Sequence, residues 1–381
     1  MIIKWPKSIL AYAKLSLLTQ NSDLISEIQD FESLYEWGIR ERTLLIIYNN
    51  LRKFSLPDWF IDRCERVSRD VIAKNLINLN NLSGLIFEFN KNGIEVIPYK
   101  GISLIGLLYP IGLRSMNDID ILIKEKDRKV ADKIITDMGY VPNLNHRNFS
   151  NYPDANLASI LYYPAAGQLL GYLHMHWKVF NTSVSYKFTA SEDVHHDLWN
   201  SSVTINNGGF NMKILEYNHA FVLSCEHAMK HSYDPLIHLV DIIAMMNRRN
   251  INNEHVVLLA KKWNMELPVF YAAWFSRNIL GCEKFKALEQ KLKPRNSSFE
   301  NYWILKMLAC SRRGHGVGVL GYLSMVNSGR KKFNLILRTI APDQKSMRLY
   351  GKKPSIGPYF FRVMRGLNLL AGTLAGRPGR S

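Results

Sequence analysis

Asp118 and Asp120 stand two residues apart in the run Asn117-Asp118-Ile119-Asp120-Ile121-Leu122-Ile123. A strand sends alternate side chains to opposite faces, so the two carboxylates share one face while Ile119, Ile121 and Ile123 share the other. Like charges held this close raise a carboxyl pKa unless a cation sits between them. Mg²⁺ is one such cation, since it takes one or two carboxylates and completes its shell with water and substrate phosphate. An Asp-x-Asp triplet is also an ordinary polar strand end, and the spacing by itself admits both readings. Upstream lies Tyr99-Lys100-Gly101-Ile102-Ser103-Leu104. Glycine lets a backbone approach a ligand closely, and the free N–H groups of a helix starting near Ser103 would cradle an anion. Lys100 adds a point charge suited to phosphate. The plain alternative is a tight strand-to-helix turn with Lys100 in solvent.

Lys100, Gly101, Tyr109, Pro110, Arg114, Asp118 and Asp120 together resemble the hallmark of an uncharacterised branch of bacterial nucleotidyltransferases in the DNA polymerase β superfamily: Lys-Gly, then Tyr-Pro, then Arg, then Asp-x-Asp. His227-Ala228-Met229-Lys230-His231 with Asp241 resembles the branch's helical region. The resemblance implies an α+β fold, a small mixed-sheet nucleotidyltransferase core flanked by N-terminal and C-terminal helical regions. It implies transfer of an NMP group from an NTP to an acceptor, with Asp118 and Asp120 as catalytic metal ligands for Mg²⁺, two ions being possible. Lys100, Gly101, Ser103, Arg114, His176, Lys230 and His231 are the nucleotide-binding residues expected from it. The acceptor is left open among a small molecule, a sugar, a peptide and a protein.

The chain departs from the pattern in two places. Gly101-Ile102-Ser103 stands where the superfamily usually has Gly-Gly or Gly-Ser, and the interval to Asp118 is long. More serious is the later strand, Tyr172-Leu173-His174-Met175-His176-Trp177. The branch carries an acid two residues before its His-Trp pair, and here that position is His174. His174 and His176 face the same way in a strand. A neutral imidazole accepts a proton near pH 7, so His174 is a candidate general base. The alternative is a protein that keeps the fold and binds nucleotide, or serves as a scaffold, with turnover impaired.

The elements that must position these groups follow from periodicity. Residues 1–90 read as helical, with Leu44, Leu45, Ile47 and Leu51 and again Leu76, Leu79, Leu82, Leu85 and Phe89 at helical spacing, and Pro57 opening a new helix. Residues 91–215 read as the α/β core: strand Ile94 to Pro98, a helix after Ser103, strand Asp118 to Ile123, a helix from Lys126 to Met138 closed by Gly139, and strands Ser159 to Tyr163 and Leu170 to Val179 about a Pro164 to Gly167 turn. Residues 216–310 return to helix, with Lys293 to Ser298 as a linker, and 311–381 form a basic C-terminal region. His227 and His231, four apart, share a helical face. They read as cleft-lining or packing residues, with Asp241 orienting one imidazole; a zinc site lacks a third ligand.

Composition excludes a disordered chain: 381 residues with 47% hydrophobic content can bury a large core. Cys64, Cys225, Cys282 and Cys310 are far apart and form no Cys-x-x-Cys pair, against a zinc knuckle or a disulfide framework and in keeping with a cytoplasmic protein. No apolar run is long enough for a membrane span. The net charge of +17 is concentrated late, since residues 311–381 carry fourteen Lys or Arg against one acid, Asp343. Such a segment attracts polyanions, whether nucleic acid, an acidic membrane surface or the triphosphate itself, and the plainer reading is generic solvation with basic side chains folded back over the nucleotide cleft. RNA as the acceptor is the corresponding alternative activity.

Overall fold

The computed structural model describes residues 5–17, 24, 26, 28, 30–143, 158–180, 194–207, 209–295, 298–310, 316–326 and 328–340. The greater part of the basic segment, residues 341–381, therefore lies outside the described residues, as do 1–4 and 18–23 at the other end.

The N-terminal region holds α1 (Lys7–Leu15), α2 (Phe31–Arg40), α3 (Leu44–Leu51) and the 34-residue α4 (Asp58–Lys91). Asp30 caps α2 by accepting from Glu32 N, and Pro57 precedes the first turn of α4, where a missing N–H costs nothing. Phe60, Cys64, Val71, Leu82, Leu85, Ile86 and Phe89 form the buried stripe of α4. Asn75 and Asn78 interrupt that stripe, and both are buried. Asn75 Nδ2 donates to the carbonyls of Ile111 (2.5 Å) and Arg114 (2.9 Å), fixing the loop that enters the Asp-x-Asp strand. Asn78 packs against Gly171, leaving no room for a Cβ there.

The sheet has five strands: β1 (Val96–Pro98), β2 (Asp118–Ile123), β3 (Tyr140–Pro142), β4 (Ser159–Pro164) and β5 (Tyr172–His176). Their spatial order is β1-β2-β5-β4-β3, with β2 and β5 parallel and the other pairs antiparallel. The register sets Asp118 beside Tyr172, Asp120 beside His174 and Leu122 beside His176. In-register neighbours send side chains to the same face, so Asp118, Asp120, His174 and His176 all emerge on one side. Ile119, Ile121, Ile123, Leu173 and Met175 supply the other side and are buried. The helix α6 (Arg128–Asp137) ends before Gly139, whose φ of +91° suits a glycine after a helix.

Two local expectations are corrected. The expected helix after Ser103 is one turn, α5 (Gly101–Leu104), because Leu104 O accepts from Leu108 N and Tyr109 N and the chain doubles back through Gly106 at φ +79°. A hairpin unforeseen in the sequence, β6 (Val203–Asn207) and β7 (Phe210–Ile214), follows α7 (Val194–Ser201). It buttresses that turn, as Asn207 Nδ2 donates to Ile105 O at 3.0 Å.

The C-terminal region comprises α8 (Tyr217–Lys230), α9 (Ile237–Arg248), α10 (Asn253–Trp263), α11 (Glu266–Asn278), α12 (Lys286–Leu292), α13 (Phe299–Leu308), α14 (Gly316–Ser324) and α15 (Gly329–Ile340). The almost fully buried α8 is their hub, packing against α9, α10, α11 and α14. The contact with α14 is close: Gly318 faces the Lys230 carbonyl and Gly321 the Met229 side chain with no space for a Cβ. The start of the basic segment thus packs on the helical region. The two helical regions also meet: Trp5 Nε1 donates to Leu308 O (3.1 Å), and Leu236 N donates to Glu41 Oε2 (2.8 Å). The α+β architecture, a mixed sheet between helical regions, is the one expected. Among the described residues, no helix is long and apolar enough to cross a membrane.

Candidate functional site

The site begins where β1 stops. Tyr99 N donates to Asp120 O at 3.1 Å, so the chain stays beside β2 for one residue past Pro98. Lys100 then adopts φ +56° with ψ −138°, a sparsely populated conformation that costs an L-residue about 1–3 kcal/mol. It turns the chain into α5, and Ser103 Oγ donates to Lys100 O at 2.9 Å to hold the turn. The lysine side chain comes back over the sheet, placing Nζ 2.6 Å from Asp120 Oδ1.

Asp120 is 5% exposed and has three cationic or imidazole neighbours. His176 Nε2 lies 2.9 Å from the same Oδ1, and His174 Nδ1 lies 3.5 Å from it. The two imidazoles are stacked at an angle, ring centroids 3.9 Å apart, and the edge of Tyr99 closes over His176. His174 Nε2 contacts Ser159 Oγ at 2.8 Å, so its two nitrogens point to Ser159 and to Asp120. Burial would raise the Asp120 carboxyl, but Lys100, the His176 hydrogen bond and the His174 ring outweigh it and hold the group well below the ordinary carboxylate range. Asp118 goes the other way. Burial first, then the charge of Asp120, lift it to about 6 against the pull of Lys100, Arg114 and Arg42.

Arg114 has another employment. Its Nε and Nη2 clamp Asp241 of α9 at 2.9 Å and 2.6 Å, Tyr109 Oη donates to the same carboxylate at 2.8 Å, and all three residues are buried. This bidentate pair ties the loop before β2 to α9. Gly101 packs flat against the Arg114 guanidinium, where a Cβ would collide with it. Asp241 therefore serves the arginine and the tyrosine, in place of the imidazole expected of it.

Lys100, Gly101, Ser103, Arg114, Asp118 and Asp120 line one cleft together with Arg42, Glu226, His227 and His238. Arg42 is exposed and follows α2 at φ +57°, while Glu226 is buried on α8, where Tyr322 Oη of α14 donates to it. Lys230, one turn along α8, is held below its ordinary pKa by burial, against the attraction of Glu226. His231 joins His227 and His238 in a trio with ring centroids 4.5 to 5.3 Å apart. Burial and the surrounding cations keep all three below the usual histidine value, His231 at about 4. Arg42, Glu226 and His238 escaped the sequence reading. They come from separate helices, and no local motif joins them to the Asp-x-Asp strand.

The donor set fits a divalent cation. Asp120, His174 and His176 each offer one ligand atom, and these atoms lie within 4.8 Å of one another. Asp118 stands beside them, near enough for its charge to be felt. The Lys100 ammonium on Asp120 places positive charge where such an ion would put its own. A family model described as uncharacterised nucleotidyltransferase matches residues 27–281, a span that holds every cleft residue named above. No curated protein and no solved structure matches the chain.

Proposed function

The chain belongs to the uncharacterised nucleotidyltransferase family, and from that membership we propose that it moves an NMP group from an NTP to an acceptor nucleophile. The acceptor attacks the α-phosphorus in line, the bond to the β-phosphate oxygen breaks, and pyrophosphate leaves. The observation that carries this reading is the convergence of Lys100, Asp118 and Asp120 in one cleft inside the matched span.

Asp118 and Asp120 are the residues that would hold a divalent ion, Mg²⁺ in the reading from the sequence, with room in the family pattern for two. Bound there, it would act as a Lewis acid on the phosphates. Lys100, freed from Asp120, meets the triphosphate as a fixed charge, with Arg42 lining the same cleft and Lys230 near enough for the two ammonium charges to be felt. Arg114 acts through placement: it holds the loop before β2 against α9, and with Gly101 it shapes the floor on which the phosphates rest. His176 keeps Asp120 oriented and ionised. The acceptor is a small molecule, sugar, peptide or protein that reaches this cleft.

The test is transfer of label. The full-length chain is incubated with each α-labelled NTP, a divalent cation and a cell lysate, and pyrophosphate and labelled product are measured. Wild-type protein gives both, and the Asp118→Ala/Asp120→Ala variant gives neither. A second reading has one observation in its favour, the imidazole at position 174 where the family pattern has an acid. On that reading NTP binds and no pyrophosphate appears with any acceptor.

A further inference from the structure

The two imidazoles beside Asp120 are not equivalent. His176 Nε2 faces Asp120 Oδ1 at 2.9 Å and must carry the proton of that hydrogen bond, while its Nδ1 is buried with no hydrogen-bond partner. Were Nε2 to ligate a metal, the proton would move to Nδ1. The Asp120 bond would be lost and an unpaired N–H left in the core, which costs about 1–3 kcal/mol. His174 has the opposite arrangement. Its Nδ1 points toward Asp120 at 3.5 Å, and its Nε2, which would carry the proton of a ligating imidazole, already meets Ser159 Oγ at 2.8 Å. A metal-bound histidine characteristically donates its other N–H to such a partner, which fixes both tautomer and ring orientation. Ser159 is itself buried, in register with His176 on the neighbouring strand, so the hydroxyl is held in place.

We propose that His174 is a metal ligand through Nδ1, oriented by Ser159 and sharing the ion with Asp120, and that the site therefore selects a divalent transition ion such as Mn²⁺ or Co²⁺ over Mg²⁺. Imidazole nitrogen binds divalent first-row transition ions, most weakly Mn²⁺ and more strongly along the series to Co²⁺ and Ni²⁺, whereas Mg²⁺ takes oxygen donors. The departure from an acid at position 174 is then a change of metal preference. His176 stays outside the coordination sphere as the hydrogen-bond donor that positions Asp120. This rests on the reading of Asp120 as a metal ligand given above, and goes beyond it in the identity of the ion and the role of His174.

The experiment uses the full-length protein stripped of metal and loaded with Mn²⁺, with ¹⁴N coupling to the bound ion measured by pulsed electron paramagnetic resonance. One imidazole coupling is expected in the wild type. It is expected to disappear in His174→Asp and to persist in His176→Gln, and His174→Asp shifts selectivity toward Mg²⁺ in competition titrations. Ser159→Ala, the mildest change, lowers Mn²⁺ affinity by roughly ten- to a hundredfold. Absence of nitrogen coupling in the wild type, coupling that survives His174→Asp, or failure of Mn²⁺ to bind would each overturn the proposal. Its failure is separable from that of the transfer reading: label transfer supported by Mg²⁺ with no nitrogen coupling sinks only the former, and coupling without transfer sinks only the latter.

Discussion

Lys100 and Asp120 form the central residue pair of the cleft, and their 2.6 Å contact sets up a competition. The ammonium neutralises a carboxylate that, on the proposed function, a divalent ion also seeks, so nucleotide and metal together would have to draw Lys100 off Asp120. Removing the lysine charge in Lys100→Met should raise divalent-ion affinity in the absence of nucleotide by roughly tenfold, because one unit charge no longer opposes the ion. The same change should weaken NTP binding by roughly tenfold or more through loss of a charge-assisted phosphate contact. Calorimetric titration with each ligand reads the two effects separately; movement of both affinities in the same direction would contradict the competition.

At the scale of elements, the loop before β2 is held by α4 on one side and α9 on the other. Asn75 grips its carbonyls, and Asp241 grips Arg114 within it. Removing one partner of a buried ion pair leaves the other charge uncompensated, so Asp241→Ala should cost about 3–5 kcal/mol in denaturant unfolding. A loss below about 1 kcal/mol would mean that the pair is no tie. This scale also shows what the sequence could reveal. Asp118 to Ile121 alternates with a two-residue period that the apolar Leu122 breaks, and the strand still has the bounds read from the sequence. His174 was visible as a departure because His176-Trp177 fixed the register. The one-turn α5 was overread as a longer helix, since its end depends on carbonyl pairing around Gly106. The β6–β7 hairpin carried a signal in the sequence, Gly208-Gly209 between the paired Asn207 and Phe210, a preferred hairpin dipeptide. Arg42 and His238 had no signal at all: only tertiary packing brings an arginine after α2 and a histidine on α9 to a strand between them.

For the molecule as a whole, burial of neutral histidine sets the response to acid. His176, His227 and His238 are held below the ordinary histidine value, and His195 falls to about 4 beside Lys178. Once unfolded, these groups regain a pKa near 6.5, so the unfolded chain takes up more protons as pH falls. Their contribution to stability is complete above about pH 7 and is lost progressively toward pH 4. Asp118, raised to about 6, and the carboxyls of Glu226 and Glu266, also raised by burial, work in the opposite sense over part of this window, but they are three groups against the five histidines that include His231. The melting temperature should therefore drop between about pH 7 and about pH 5. A melting temperature that holds steady or rises over that interval would mean that these imidazoles already carry their charge in the folded protein.

Glu41 gives the N-terminal helices a say in chemistry conducted elsewhere. Its carboxylate receives the Leu236 amide at the threshold of α9, and the very next residue, Arg42, looks onto the cleft. Excising the first ninety residues to isolate the sheet would thus strip an arginine from the cleft wall and unfasten the helix that bears Asp241 and His238. The cleft is a clasp with its hinge pin threaded through both helical ends, and a trimmed core would be an open one.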